Sequence, residues 1–112
     1  MLGIALFASS FAIENAAAAE QRRSKLVCAG AMCVFVTPLN RGGMGAEIRS
    51  FPGKTTHVNM RCSNGRQVDS RREKYIYCNE RQVMVQHCKK ELFSSSCSRW
   101  FVFTPDRADY AG

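Results

Sequence analysis

The chain has 112 residues, a mass of 12.5 kDa, and 16 Lys+Arg against 9 Asp+Glu, for a formal net charge of +7. That length excludes multidomain enzymes, Rossmann domains and large barrels, and 46% hydrophobic with 22% charged residues excludes collagenous, coiled-coil and wholly disordered chains. No apolar run reaches the roughly 18 to 20 residues of a membrane span. Six cysteines in so short a chain point to a disulfide framework formed in an oxidising compartment.

Residues 2–13 (LGIALFASSFAI) are uncharged and apolar, as the core of a secretory signal requires, and Ala16 to Ala19 supply the small residues of a cleavage region. No Lys or Arg precedes the apolar stretch, so the amino terminus carries the positive charge there. Residues 1–19 are therefore expected to be a signal peptide, whose removal leaves 93 residues. Residues 20–23 end in the dibasic pair Arg22-Arg23, a candidate second processing site. A cut there leaves 24–112 as a single cysteine-rich domain of 89 residues, still at +7, with all six cysteines retained.

The cysteines are Cys28, Cys33, Cys62, Cys78, Cys88 and Cys97. Zinc-ligand pairs usually sit two to four residues apart on one tight turn. Only Cys28 and Cys33 are close, no C-x-x-C occurs, and no metal site is expected; the absent motif also argues against thioredoxin-like redox chemistry. Three bridges are expected, with fifteen connectivities open.

Short alternating runs rich in β-branched and aromatic residues read as about six strands: 32–37 (MCVFVT), 46–51 (AEIRSF), 56–62 (THVNMRC), 73–78 (EKYIYC), 82–88 (QVMVQHC) and 98–104 (SRWFVFT). Asn40-Arg41-Gly42-Gly43 and Pro52-Gly53 break the chain early. Asn64-Gly65 favours a tight hairpin, and a turn at Asn79-Glu80-Arg81 is expected to pair 73–78 with 82–88. Val58, Met60 and Cys62 share one face of their run, with His57, Asn59 and Arg61 on the other; Val83 and Val85 oppose Met84 and Gln86. Residues 69–74 are polar and could begin a short helix, and 106–112 read as a loose tail. Trp100, Phe101, Val102 and Phe103 form the most apolar run and are expected in the core, an aromatic ligand platform being the alternative. The pattern predicts a mainly β fold, a small disulfide-stabilised antiparallel sandwich or barrel.

No G-x-S-x-G elbow, H-E-x-x-H helix or P-loop is present, and three bridges would leave no cysteine nucleophile. His57 and His87 with Glu47 and Arg49 hold the residue types of a metal-independent ribonuclease, an acid–base pair plus a phosphate clamp, but nothing in the sequence makes them converge. A binding role is favoured over an enzyme, whose activity the sequence leaves open, and no cofactor is expected. The firmer signal is charge. From 61 to 90 the chain holds Arg61, Arg66, Arg71, Arg72, Lys74, Arg81, Lys89 and Lys90 against Asp69, Glu73 and Glu80. Clustered cations favour association with phosphate, anionic polysaccharide, acidic lipid or an acidic protein surface, and Tyr75 and Tyr77 lie among them, the basic–aromatic interleaving of many single-strand nucleic-acid surfaces. Arg61, Arg66, Arg71, Arg72, Lys74, Tyr75, Tyr77 and Arg81 are the candidate binding residues.

A signal-like N-terminus, a dibasic pair and about ninety β-rich residues with six cysteines resemble the small secreted cysteine-rich effectors and toxins of plant-pathogenic fungi. Six cysteines exceed the one or two bridges of the six-strand sandwich effectors. Cys62-Ser63-Asn64-Gly65 is similar to the Cys-x-x-Gly of the ribonuclease-like effectors, but Met60 stands where that family has an aromatic residue, and no catalytic residue is carried over. The resemblance implies a secreted virulence effector or toxin that binds a host or competitor protein, or an anionic polymer, nucleic acid included, either outside cells or after translocation into a host cell. The alternatives are a ribonuclease-like protein, active or decayed, and an antimicrobial or inhibitor peptide.

Overall fold

The computed structural model describes residues 24–111; the expected signal peptide, 1–19, and propeptide, 20–23, lie outside them. The described residues form ten strands and no helix: β1 Lys25–Ala29, β2 Met32–Pro38, β3 Met44–Ser50, β4 His57–Arg61, β5 Gln67–Asp69, β6 Tyr75–Cys78, β7 Val83–Lys90, β8 Ser95–Cys97, β9 Phe101–Phe103 and β10 Ala108–Tyr110. They build two antiparallel sheets, one in the order β1-β2-β3-β6 and one in the order β10-β9-β7-β4-β5, with β8 added to the end of β7. No described helix is long and apolar enough to cross a membrane.

Alternation sets which side chains meet between the sheets. In β2, Met32, Val34 and Val36 are fully buried while Cys33, Phe35 and Thr37 are half-buried on the outer face. Val34 and Val36 pair with Ile48 and Ala46, and Ala46 pairs in turn with Ile76. The second sheet answers with Val58, Met60, Val83, Val85 and Phe103, aligned through the pairs Met60–Val85 and Val83–Phe103. Cys62 and Cys78 complete this core.

The Asn64-Gly65 hairpin forms as its residues demand. Gly65 adopts φ 94°, its N–H donates to the Cys62 carbonyl at 3.0 Å, and the Asn64 side chain accepts from Arg66 N–H at 2.9 Å. The expected 73–78 with 82–88 hairpin does not form. β6 pairs with β3 and β7 with β4, so the Asn79–Arg81 segment carries the chain from one sheet to the other. Alternation in both runs was compatible with either pairing; burial on two different sheets decides it.

Residues 69–74 make one isolated turn instead of a helix. The Asp69 carbonyl accepts from Arg72 and Glu73 N–H at 2.8 and 2.9 Å, and the Asp69 side chain accepts from Arg71 N–H. The expected tail, 106–112, is ordered through β10, whose Tyr110 and Ala108 pair with Phe101 and Phe103. Of the apolar run Trp100 to Phe103 only Phe103 is fully buried; the other three are half-buried, because β9 sits near the sheet edge with just β10 beyond it.

All six cysteines are bridged: Cys28–Cys33, Cys62–Cys78 and Cys88–Cys97. The first and last join residues directly opposite each other in a hairpin, whereas the second crosses between sheets. Bridges of this kind persist in oxidising compartments.

Candidate functional site

β5 and β6 are edge strands of different sheets, and the chain between them, 70–74, crosses the same flank of the molecule. On that flank Arg66, Lys74, Tyr75 and Tyr77 line a shallow groove of about 330 Å³ together with Glu73 and Ile76. Arg71 and Arg72 line the adjoining depression, about 710 Å³, with Asn59, Gln67, Asp69 and Glu73. Six of the eight expected binding residues therefore converge on two neighbouring hollows that share Glu73.

The two tyrosines point outward because β6 alternates: Ile76 and Cys78 turn into the core, while Tyr75 and Tyr77 stand on the outer face. Their rings meet edge to face with centroids 4.5 Å apart, and Tyr77 is 55% exposed. The Tyr75 hydroxyl reaches over Gly45 of β3. A Cβ on Gly45 would overlap its hydroxyl, so only glycine leaves room for this ring. Burial, followed by a hydrogen bond with Tyr77, pushes the Tyr75 phenol above its ordinary value, and it remains a neutral donor. Next to the tyrosines on this face, Arg49 sits 4.8 Å from the Phe35 ring centre and 2.7 Å from Glu47.

The cations differ in how far they are committed. Arg71 is engaged: its Nη2 is 2.5 Å and its Nε 3.1 Å from Asp69 carboxylate oxygens, and this contact above all holds the Asp69 carboxyl down at about 2. Arg66, Arg72 and Lys74 make no ion pair among the described residues. Arg81 donates from Nη2 to the Leu39 carbonyl at 2.9 Å and fastens the β2–β3 turn, away from the groove. Arg61 lies on the outer face of the second sheet between Gln67 and Met84 and lines neither hollow.

The histidines do not converge. Register pairs Val58 with His87 and His57 with Cys88, so the two rings project to opposite faces of the second sheet. His57 is buried beside Thr56, whose Oγ1 lies 3.2 Å from its Nδ1; His87 is half-buried and stacks towards Phe101. Glu47 and Arg49 lie on the other sheet, paired with each other. No acid–base pair with a phosphate clamp is assembled from these four. Among the described residues no group of three His, Cys, Asp or Glu side chains could hold a metal ion.

Sequence reasoning missed Gly45 and Glu73. A glycine inside the strand run MGAEIRS signals close approach of another group, and that signal identifies Gly45. Glu73 was visible only as one of three acids in a basic stretch, with nothing to place it between two hollows. Compared with known proteins, the chain matches no family model, no curated protein and no solved structure.

Proposed function

We propose that this is a secreted binding protein, acting as a virulence effector or toxin, which engages an anionic surface of a host or competitor component through the Arg66–Lys74–Tyr75–Tyr77 groove. One observation carries the reading: two cations without ion pairs flank a pair of packed tyrosines, against the single carboxylate of Glu73. Cations attract the partner over a distance and the tyrosine faces supply short-range contact at small entropic cost. The three disulfides suit a life outside the producing cell. The flat, open shape suits a surface or an extended polymer more than a small substrate enclosed for chemistry.

Binding to two polyanions, a sulfated polysaccharide and polyglutamate, tests this. Arg66→Glu with Lys74→Glu should weaken binding at least about tenfold and flatten its salt dependence. Arg99→Glu with Arg107→Glu, the same change of charge outside both hollows, should cost far less. Equal losses would reduce the effect to net charge and remove the groove from the account.

A further inference from the structure

The hairpin joining β7 to β8 violates the usual chemistry of its turn. Glu91 N–H donates to the Ser94 carbonyl at 2.7 Å, which leaves Leu92 and Phe93 at the apex. Two-residue hairpin loops favour Asn-Gly or a leading glycine, with positive φ, yet every described non-glycine residue here has negative φ. Leu92 is 86% and Phe93 94% exposed, the most exposed large apolar side chains among the described residues. Folding gains nothing from them there, and a local rule broken without structural gain marks a functional position.

The tip is stiffly held. Cys88 and Cys97 face each other across the hairpin and are bonded. Thr56 locks the same base: its N–H and Oγ1 donate to the Cys88 carbonyl at 2.8 and 3.2 Å, and its Oγ1 accepts from Lys90 N–H at 2.9 Å. Around the apex stand cations. Lys89 and Lys90 are exposed in β7, and Lys54 lines one depression with Lys89; Glu91 offsets one of the three. The chain returning from the apex is polar, with Ser94 in the turn and Ser95 and Ser96 in β8.

We propose that this hairpin is an anchor for an anionic lipid bilayer, with Leu92 and Phe93 entering the acyl boundary and Lys54, Lys89 and Lys90 meeting the headgroups. A two-residue point is too narrow for a stable protein interface, which needs about 800 Å² from each partner, whereas a bilayer accepts an apolar point within a ring of cations. The anchor is independent of the groove reading, because it lies on a different part of the fold and uses none of its residues.

The test uses the full chain, with Phe93→Trp introduced beside Trp100→Phe so that the only indole reports on the tip. Vesicles of phosphatidylcholine with phosphatidylserine should shift its emission to the blue and bring it within reach of brominated acyl chains, and phosphatidylcholine alone should do neither. Hydrogen exchange on the unsubstituted chain provides a second readout, with amides 91–94 slowed by the anionic vesicles. Leu92→Ser with Phe93→Ser should lower partitioning at the tip about tenfold or more, and Lys89→Glu with Lys90→Glu should abolish the preference for phosphatidylserine. An indole that stays in water and unprotected amides in the presence of anionic vesicles would overturn the proposal. So would a blue shift that grows with protein concentration without lipid, since that identifies a second copy as the occupant.

Discussion

Cys62, just past the end of β4, is bonded to Cys78, the last residue of β6, and among the three disulfides this is the one that ties the two sheets together. Both residues are almost completely buried, 2% and 3% exposed, and their Cα atoms are 5.3 Å apart. The bond also closes the flank that carries the groove, since Arg66 to Tyr77 lie within the loop it defines.

Removing this bridge should therefore cost more than removing Cys28–Cys33. Closing a loop of 16 residues constrains the unfolded chain by about 3 kcal/mol, against about 2 kcal/mol for 5 residues. Loss of two buried side chains adds to the first figure. Cys62→Ala with Cys78→Ala should lower Tm by more than about 10 °C for a domain of this size, and Cys28→Ala with Cys33→Ala by clearly less, as read by calorimetry.

Gly45 is expected to govern the groove without touching a ligand. In Gly45→Ala the new methyl group meets the Tyr75 hydroxyl, so the ring must lift off β3 and lose its edge contact with Tyr77. Overpacking of this kind costs about 1–3 kcal/mol. The near-ultraviolet dichroism of the tyrosines should change and polyanion binding should fall, while Gly53→Ala, in open space, should leave both as they are.

Acid stability should depend on Asp69. Its carboxyl is held at about 2 in the fold against an ordinary 3.8, chiefly by the Arg71 hydrogen bonds. A depressed carboxyl stabilises the fold above the unfolded value, and that contribution disappears as pH falls from about 4 to about 2. Urea midpoints of the native chain should therefore drop across this window, and those of Asp69→Asn should drop less. The pair is exposed to solvent, so the difference should shrink in high salt.

The sequence made the sheet class legible because burial on one face imposes a period of two, clearest in Met32 to Val36 and Val83 to Gln86. β1, β5, β8 and β10 escaped because they are short or largely exposed and show no apolar alternation; Gly30, at φ 58° between β1 and β2, was the one local sign of a hairpin there. Strand partners were less legible. The segment Asn79–Arg81 looks like a hairpin turn, yet Ile76 packs beside Ala46 and Val85 beside Met60, choices made by the whole core and not by the three residues between the strands. For the site, charge density identified Arg66 and Lys74, but only the fold separates them from Arg81, spent on the Leu39 carbonyl, and from two histidines on opposite faces.

Chemical-shift mapping of the amide and arginine side-chain signals during titration with polyglutamate tests the groove most directly. The largest shifts should fall on Arg66, Glu73, Lys74, Tyr75 and Tyr77, with smaller ones at Arg71 and Arg72. Shifts of equal size at Arg99 and Arg107, on the far side of the second sheet, would contradict the account, because the molecule would then be binding through its overall charge and not through this site.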